Sequence, residues 1–310
     1  LIFGSNFRMK YTFLNVFGTE LVRLFPRGTI LLEAINNLGE NMTDTTSAIQ
    51  THYALNNLTD RILKALEVAG HDTKNLTVGM LNLVDQLHGG GLNSTIAQAR
   101  MVKIRENTRV FDAGCGVGGS SRYLAHTFGC QIEAIDLTLE YVEAAARLNK
   151  LCGIDDRISV NQGSVTDIHQ EDQSFDLVWC QNVTMNVRDK TRMFAETYRV
   201  LVPGGQYTFS HLAGGPAGEP YYPLPWARDP AYSFLSTPEM IIQCLEEIGF
   251  TNIENRSRTG GSGNAARQST DDLAQSVILG KDMPERQANA MRSRKEGRII
   301  GMLVTAERPA

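Results

Sequence analysis

A chain of 310 residues holds one large α/β domain with appendages, or two small domains. Hydrophobic residues at 42% against 21% charged supply a sizeable core and exclude a disordered chain. A net charge of −4 offers no basic surface for a nucleic acid, and no apolar run reaches the roughly eighteen residues that span a bilayer. Cys115, Cys130, Cys152, Cys180 and Cys244 are scattered and include no CxxC pair. That excludes a disulfide scaffold and a zinc ribbon and fits a reducing cytosol. The histidines and cysteines show no metal-ligand spacing, so no metal is expected.

Residues 1–41 mix apolar and basic side chains without steady periodicity. They read as a loosely attached extension, with Met42 as a possible natural start, or as an extra helix on the domain surface. Thr43, Asp44 and Thr45 cap a helix running toward His52 and Tyr53. Leu58, Ile62, Leu63, Leu66 and Val68 recur at helical spacing up to Gly70. Val78, Leu81, Leu83 and Val84 predict a second, short helix, and Ser94–Val102 a third, after a loop at His88-Gly89-Gly90-Gly91. Residues 42–105 are thus a helical preface, and 106–310 the main domain. From there apolar runs and helical stretches alternate: strand Thr108–Ala113, helix Ser120–Phe128, strand Gln131–Leu137, helix Leu139–Leu151, strands Ile158–Gln162 and Phe175–Cys180, helix Lys190–Leu201. A turn at Pro203-Gly204-Gly205 leads to strand Gln206–Leu212, and Pro238–Gly249 is helical. Residues 259–270 read as a linker, Asp271–Lys295 as one charged helix and Ile299–Ala306 as a last strand. Such alternation means βαβ units and a mostly parallel sheet.

The most informative segment is Val110-Phe111-Asp112-Ala113-Gly114-Cys115-Gly116-Val117-Gly118-Gly119, a strand running through a glycine-rich turn into a helix. Gly114, Gly116 and Gly119 satisfy GxGxxG, a weak signal alone. Asp136 lies twenty residues beyond Gly116 at the end of the second strand, where a carboxylate can accept both hydroxyls of a ribose. That points to an adenosine-type ligand. Asp112 separates two rivals. A pyrophosphate at the helix N-terminus wants N–H donors, whereas S-adenosylmethionine brings an ammonium and a sulfonium. A carboxylate at position 112 repels NAD and attracts the methyl donor, directly or through water.

The run Asp112-Ala-Gly-Cys-Gly-Val-Gly resembles motif I of the class I S-adenosylmethionine-dependent methyltransferases. The resemblance continues through Glu133-Ala-Ile-Asp136-Leu, Phe175-Asp176-Leu-Val-Trp and Arg199-Val-Leu-Val-Pro203-Gly204-Gly205, covering residues 105–255. It implies a Rossmann-like three-layer sandwich with a seven-stranded, mostly parallel sheet whose last strand, here Ile299–Ala306, is antiparallel. It implies that Gly114 and Gly116 let the backbone approach the methionine part of the donor, and that Asp136, followed by Leu137, holds the ribose. Gly163-Ser164-Val165 would lie along the adenine, with Ser164 where the family often has an acidic residue and Asp167 as a substitute. Gln181 and Asn182 would face donor or acceptor. By contrast Gly118 and Gly119 read as packing glycines, Asp167 equally as a turn cap and Asp176 as structural.

Val84-Asp85-Gln86-Leu87-His88-Gly89-Gly90, Gln181-Asn182-Val183-Thr184-Met185-Asn186 and Tyr221-Tyr222-Pro223-Leu224-Pro225-Trp226-Ala227 resemble the sarcosine/dimethylglycine N-methyltransferase-like branch. Ala213–Phe234 reads as an acceptor lid. It gathers Tyr221, Tyr222, Trp226, Tyr232 and Phe234, aromatic faces suited to a developing quaternary ammonium, and Arg228, suited to a substrate carboxylate. The same loop also reads as packing over a sheet edge. His211, at the end of the fifth strand, is the candidate base; His88 and Tyr53 are candidates to close over the donor. The sequence thus predicts methyl transfer to a small-molecule acceptor, an amine nitrogen of the sarcosine/dimethylglycine type. An O- or C-methyltransferase, a non-catalytic adenosine-ligand module and an NAD oxidoreductase are the rivals. No nucleic-acid partner is expected, and the oligomeric state stays open.

Overall fold

The structure is a computed structural model that describes residue 47 and residues 50–52, 57–256 and 275–310. The chain divides into a unit of residues 1–48 and one of residues 49–310, and all that follows concerns the second. Tyr53, the expected extension at 1–41 and the linker at 259–270 lie outside the described residues.

Strands β1 (Arg109–Ala113), β2 (Gln131–Asp136), β3 (Ile158–Gln162), β4 (Phe175–Gln181), β5 (Leu201–Gly214), β6 (Thr251–Asn255) and β7 (Ile299–Glu307) form one sheet in the order β3-β2-β1-β4-β5-β7-β6. The pairs from β3 to β5 are parallel, and β7 runs antiparallel between β5 and β6. Before the sheet come α1 (Leu58–Val68), α2 (Val78–Leu81) and α3 (Leu92–Ala99). Within and after it come α4 (Gly119–Phe128), α5 (Leu139–Leu151), α6 (Lys190–Val200), α7 (Pro238–Ile248), α8 (Ser276–Leu279) and α9 (Met283–Lys295).

Period-two alternation explains the layers. Val110, Leu177 and Trp179 point into one core with Leu124 and Ala125 of α4. Their neighbours Phe111, Val178 and Cys180 point into the other, with Phe194 of α6 and Leu245 of α7. Leu58, Ile62 and Leu66 of α1 share a third cluster with Tyr141 and Leu148 of α5 and with Ile278 and Met283, so this part of the preface is packed into the main domain. Strand order reverses between β1 and β4, and such a crossover opens a crevice at the carboxyl ends of the two strands. The glycine turn that follows β1 lies there.

Two expectations change, and one strand is added. The helix read across Asp271–Lys295 is broken from residue 280: Gly280 takes φ 100°, and Pro284, which lacks an amide hydrogen, starts α9 instead of continuing a helix. The turn at Pro203-Gly204-Gly205 is a bulge inside β5, where the register with β4 slips between Phe175 and Leu177. Strand β6, Thr-Asn-Ile-Glu-Asn, is an exposed edge with one half-buried side chain, so it carries no apolar alternation to read.

Candidate active site

The glycine turn is tied to the neighbouring strand by two amides, Gly114 N and Cys115 N, which both donate to Ile135 O at 2.9 Å. Gly114 has φ 85°, and a Cβ there would lie 2.4 Å from Val183 Cγ2. Asp136 braces the turn from the side: Oδ2 accepts from Gly116 N at 2.8 Å and Oδ1 from Thr138 N at 2.9 Å. Each carboxylate oxygen therefore keeps lone-pair capacity for a further donor. Leu137 follows, its carbonyl accepting from Gln162 Nε2 at 3.1 Å.

Asp112 is 1% exposed and turned beneath the first turn of α4, where Ser121 Oγ donates to Oδ2 at 2.5 Å. Burial pushes its carboxyl up to about 7, against the pull of the Ser121 hydroxyl, and the Asp136 charge adds to the rise. Burial also raises Asp136. Among the described residues neither carboxylate is ion-paired. Two acidic groups beside one turn, with no cation to balance them, make a site that favours a positively charged ligand.

The preface loop roofs this turn. Asp85 and Arg122, both fully buried, pair at 2.9 Å, and Arg122 also donates to Asn149 Oδ1 at 2.9 Å and to Val117 O. Gln181 is oriented by the Trp179 indole, which only donates: its Oε1 accepts from Trp179 Nε1 at 3.3 Å, from Thr95 Oγ1 and from Ser120 Oγ. His88 Nε2 meets Thr95 Oγ1 at 3.2 Å, and burial lowers the ring to about 4. Gln181 and His88 thus join α3 to α4 and β4 in one buried network. Asp85, Arg122 and Thr95 were not read from the sequence as site residues. The only signal was the placement of Asp85 between Val84 and Leu87.

On the expected adenine side, Ser164 Oγ is within 2.9 Å of Thr166 Oγ1, and Val165 packs half-buried on the main core. The Asp167 side chain is 74% exposed and lies 3.8 Å from His169 Nε2, facing solvent.

Beyond β4, Asn182 has φ 53°, a left-handed conformation that Asn adopts more readily than most side chains, and its amide donates to Ser210 O at 2.9 Å. His211 is 1% exposed, its Nδ1 hydrogen-bonded to Thr184 Oγ1. Burial and the nearby Lys190 charge lower it to about 3, and an imidazole this hard to protonate is a poor proton acceptor at neutral pH.

The lid aromatics are spoken for within the protein. Arg292 and Arg298 lie over the Tyr221 ring at 3.8 and 4.6 Å, and its hydroxyl donates to Glu296 at 2.8 Å. Arg188 lies over Phe234 at 4.5 Å. Trp226 is buried with Leu224 and Met185, its Nε1 donating to Ser233 Oγ at 2.9 Å, and the half-buried Tyr222 packs on the same cluster. Arg228 is engaged by Asp282 at 2.9 and 3.2 Å, with Nη1 3.3 Å from His52 Nδ1. The loop packs as a small satellite core, so the open aromatic cage and the free carboxylate fork expected from Tyr221, Trp226 and Arg228 are not formed.

Residues 111–209 match the family described as a methyltransferase domain. The sarcosine/dimethylglycine N-methyltransferase of Halorhodospira halochloris is 33% identical over 150 residues, 48% of this chain and 54% of that protein. The chain therefore spans about half the length of this relative. Among solved structures, phosphoethanolamine N-methyltransferase 2 of Haemonchus contortus superposes with a TM-score of 0.57 at 19% identity, covering 71% of this chain and 54% of that one. The [4+2]-cyclase SpnF gives 0.57 at 21% identity, covering 70% and 81%. Similarity at this level shows the fold, and the cyclase makes plain that the fold hosts more than one reaction. The segment 111–209 thus matches the methyltransferase domain family on a Rossmann-like fold, and its sequence likeness is to sarcosine/dimethylglycine N-methyltransferases.

Proposed function

We propose that the chain transfers a methyl group from S-adenosylmethionine to the nitrogen of a small amine. The observation that carries this reading is the pair of unbalanced carboxylates, Asp112 and Asp136, beside the glycine turn. A pyrophosphate at the start of α4 would meet both charges, whereas a sulfonium and an ammonium relieve them. When bound, the donor supplies an activated methyl group whose departure leaves a neutral thioether. The chain's own residues do the rest. Asp136 offers its remaining lone pairs to the ribose hydroxyls, and Leu137, Ser164 and Val165 flank the base. The Gly114–Gly116 backbone and Asn182 border the methionine part, while the buried network of His88, Thr95 and Gln181 holds the roof. Catalysis is positioning and exclusion of water, with the acceptor arriving as free amine. The depressed His211 favours nitrogen over oxygen or carbon acceptors, which need a dedicated base. A reducing cytosolic setting belongs to the same reading, supported by five free cysteines.

The test is titration calorimetry with S-adenosylhomocysteine and, as control, NADH. Asp136→Ala is expected to weaken S-adenosylhomocysteine by about 2–3 kcal/mol, the worth of hydrogen bonds to a charged group, with the ligand-free fold retained. Tighter binding of NADH, or an affinity indifferent to the substitution, would overturn the assignment.

A further inference from the structure

We propose that the carbonyl of Pro225 fastens the lid to both walls of the donor crevice, through His52 and Arg286 as positioning residues, so that a ligand ordering either wall also orders the lid. That this ligand is the methyl donor rests on the reading above; the tie between crevice and lid does not.

The sequence of the lid demands outside partners. Pro223 and Pro225 carry no amide hydrogen, so residues 222–226 are poor in donors and their carbonyls are filled by side chains from elsewhere. Asn289 Nδ2 donates to Pro223 O at 3.1 Å. Pro225 O has two nitrogen neighbours, Arg286 Nη1 at 3.0 Å and His52 Nε2 at 3.2 Å. The position of the His52 proton follows from the far side of its ring. There Nδ1 faces Arg228 Nη1 at 3.3 Å, and a guanidinium only donates. Nδ1 is therefore bare, and Nε2 carries its hydrogen toward the Pro225 carbonyl. Burial lowers the ring to about 4, which keeps it neutral where two guanidiniums, Arg228 and Arg286, already share the Asp282 carboxylate.

Each partner of Pro225 leads to a different wall. His52 stands two residues from Gln50 on one helical stretch, and Gln50 Nε2 donates to Leu137 O at 3.1 Å. Leu137 follows Asp136, the carboxylate that braces Gly116 and Thr138. Residues 50–52 thus reach from the expected ribose side to the lid. Arg286 leads to the roof. It is fully buried, and its Nη2 donates to Leu279 O and, at 3.1 Å, to Asp282 Oδ1. Leu279 and Ile278 of α8 share a cluster with Val84 and Leu87, which flank Asp85 and Gln86. Just before α8, Gln275 Nε2 donates to His88 O at 3.2 Å. One carbonyl therefore receives hydrogen bonds relayed from both walls. Such a bond is lost beyond about 3.5 Å, so a shift of either wall by roughly half an ångström loosens the lid.

The test is amide hydrogen exchange on the full chain, with and without S-adenosylhomocysteine. Leu224 and Ala227 bond to each other inside the lid and report its order. In the parent, the ligand is expected to slow their exchange roughly tenfold, within the usual range of coupling between sites. His52→Leu should cut that response to less than about threefold. His52→Gln, whose amide can still donate to Pro225 O, should restore it. Arg286→Lys keeps the charge but cannot fork between Leu279 O and Pro225 O, and should behave as His52→Leu. A response equal in the parent and both weakened variants would mean that the two side chains only add stability, and would overturn the proposal. So would protection of Gly116 and Thr138 by the ligand with the lid amides unmoved. Asn289→Ala decides the tie on the ligand-free chain: it frees Pro223 alone, and the amides of Thr138 and Gly91, one on each wall, should then exchange faster. Unchanged rates at both would overturn the tie. Failure of S-adenosylhomocysteine to bind would instead sink the methyl-transfer reading, with the Asn289→Ala result still standing.

Discussion

Asp85→Ala is expected to cost about 3–5 kcal/mol of folding stability, the range for breaking a buried ion pair from one side. Both partners are fully buried, with Arg122 Nη2 at 2.9 Å and Nε at 3.3 Å from Asp85 Oδ2. The second carboxylate oxygen accepts from Gln86 Nε2 at 3.0 Å, which extends the pair into the loop that follows. Without Asp85 the guanidinium keeps Val117 O and Asn149 Oδ1 but stays charged and unbalanced in a dry pocket. The loss reaches function because the contact is so close: a Cβ on Gly119, the first residue of α4, would lie 2.5 Å from Asp85 O. Loosening Asp85 therefore frees the glycine turn from its roof, and donor affinity should fall with stability. Urea denaturation and calorimetry on the same variant check both. Asp85→Ala combined with Arg122→Met should recover much of the stability, because no buried charge is then left alone. A single Asp85→Ala variant within about 1 kcal/mol of the parent would show the pair to be dispensable.

The sequence made the central sheet legible because β1 and β4 each send alternate side chains into two different cores, so apolar runs stand out at strand length. Helix α5, Leu139–Leu151, falls where its spacing placed it. The failures have a common cause, which is that the missing information was long-range. Strand β6 is held by pairing with β7 some fifty residues later and buries almost nothing itself. The lid's aromatic concentration was visible at residues 221–234, but not the guanidiniums of Arg292 and Arg298 that cover Tyr221, which arrive from α9 and the segment after it. Arg228 looked free because Asp282 is distant in the chain. Likewise a lone Asp85 in sequence is an ordinary surface charge, and only the fold brings Arg122 to it. At the glycine turn the opposite holds: ligand-facing backbone, Asp112 and Asp136 lie within one βαβ unit, so local pattern sufficed to bring them together. The acceptor side proposed beside the carboxyl ends of β4 and β5 draws on elements far apart in the chain, and there His211 was legible as a residue but not in its burial.

Asp112→Asn is expected to stabilise the ligand-free protein at neutral pH and to weaken donor binding. In the unfolded chain this carboxyl has the ordinary value of 3.8, and in the folded protein burial holds it at about 7. Between those values the folded state keeps a proton that the unfolded state has lost, so this carboxyl's contribution to stability falls as pH rises from 4 to 7, and its full penalty is present above 7. A shift of that size corresponds to something on the order of 4 kcal/mol. Asn keeps an oxygen for the Ser121 hydroxyl and removes the charge, so the variant should lose this downward slope. The most perturbed histidines, His52, His88 and His211, lie at about 4, 4 and 3 in the folded protein against 6.5 in the unfolded chain, so they add the opposite slope up to about pH 6.5, and the Asp112 contribution is read as the difference between parent and variant. Donor binding should show the mirror image. A cationic ligand favours the ionised carboxylate, so S-adenosylmethionine should bind more tightly as pH rises through 7 and should release a proton as it does so. Asp112→Asn should flatten that dependence and weaken binding roughly tenfold at pH 8, the scale of one screened charge interaction. Denaturation curves at pH 5, 6, 7 and 8 measure the stability arm, and calorimetry in two buffers of different ionisation enthalpy counts the proton. Parallel pH profiles for parent and variant in both experiments would mean that Asp112 is not ionised by the ligand, and that the preference for a cation arises at Asp136 alone.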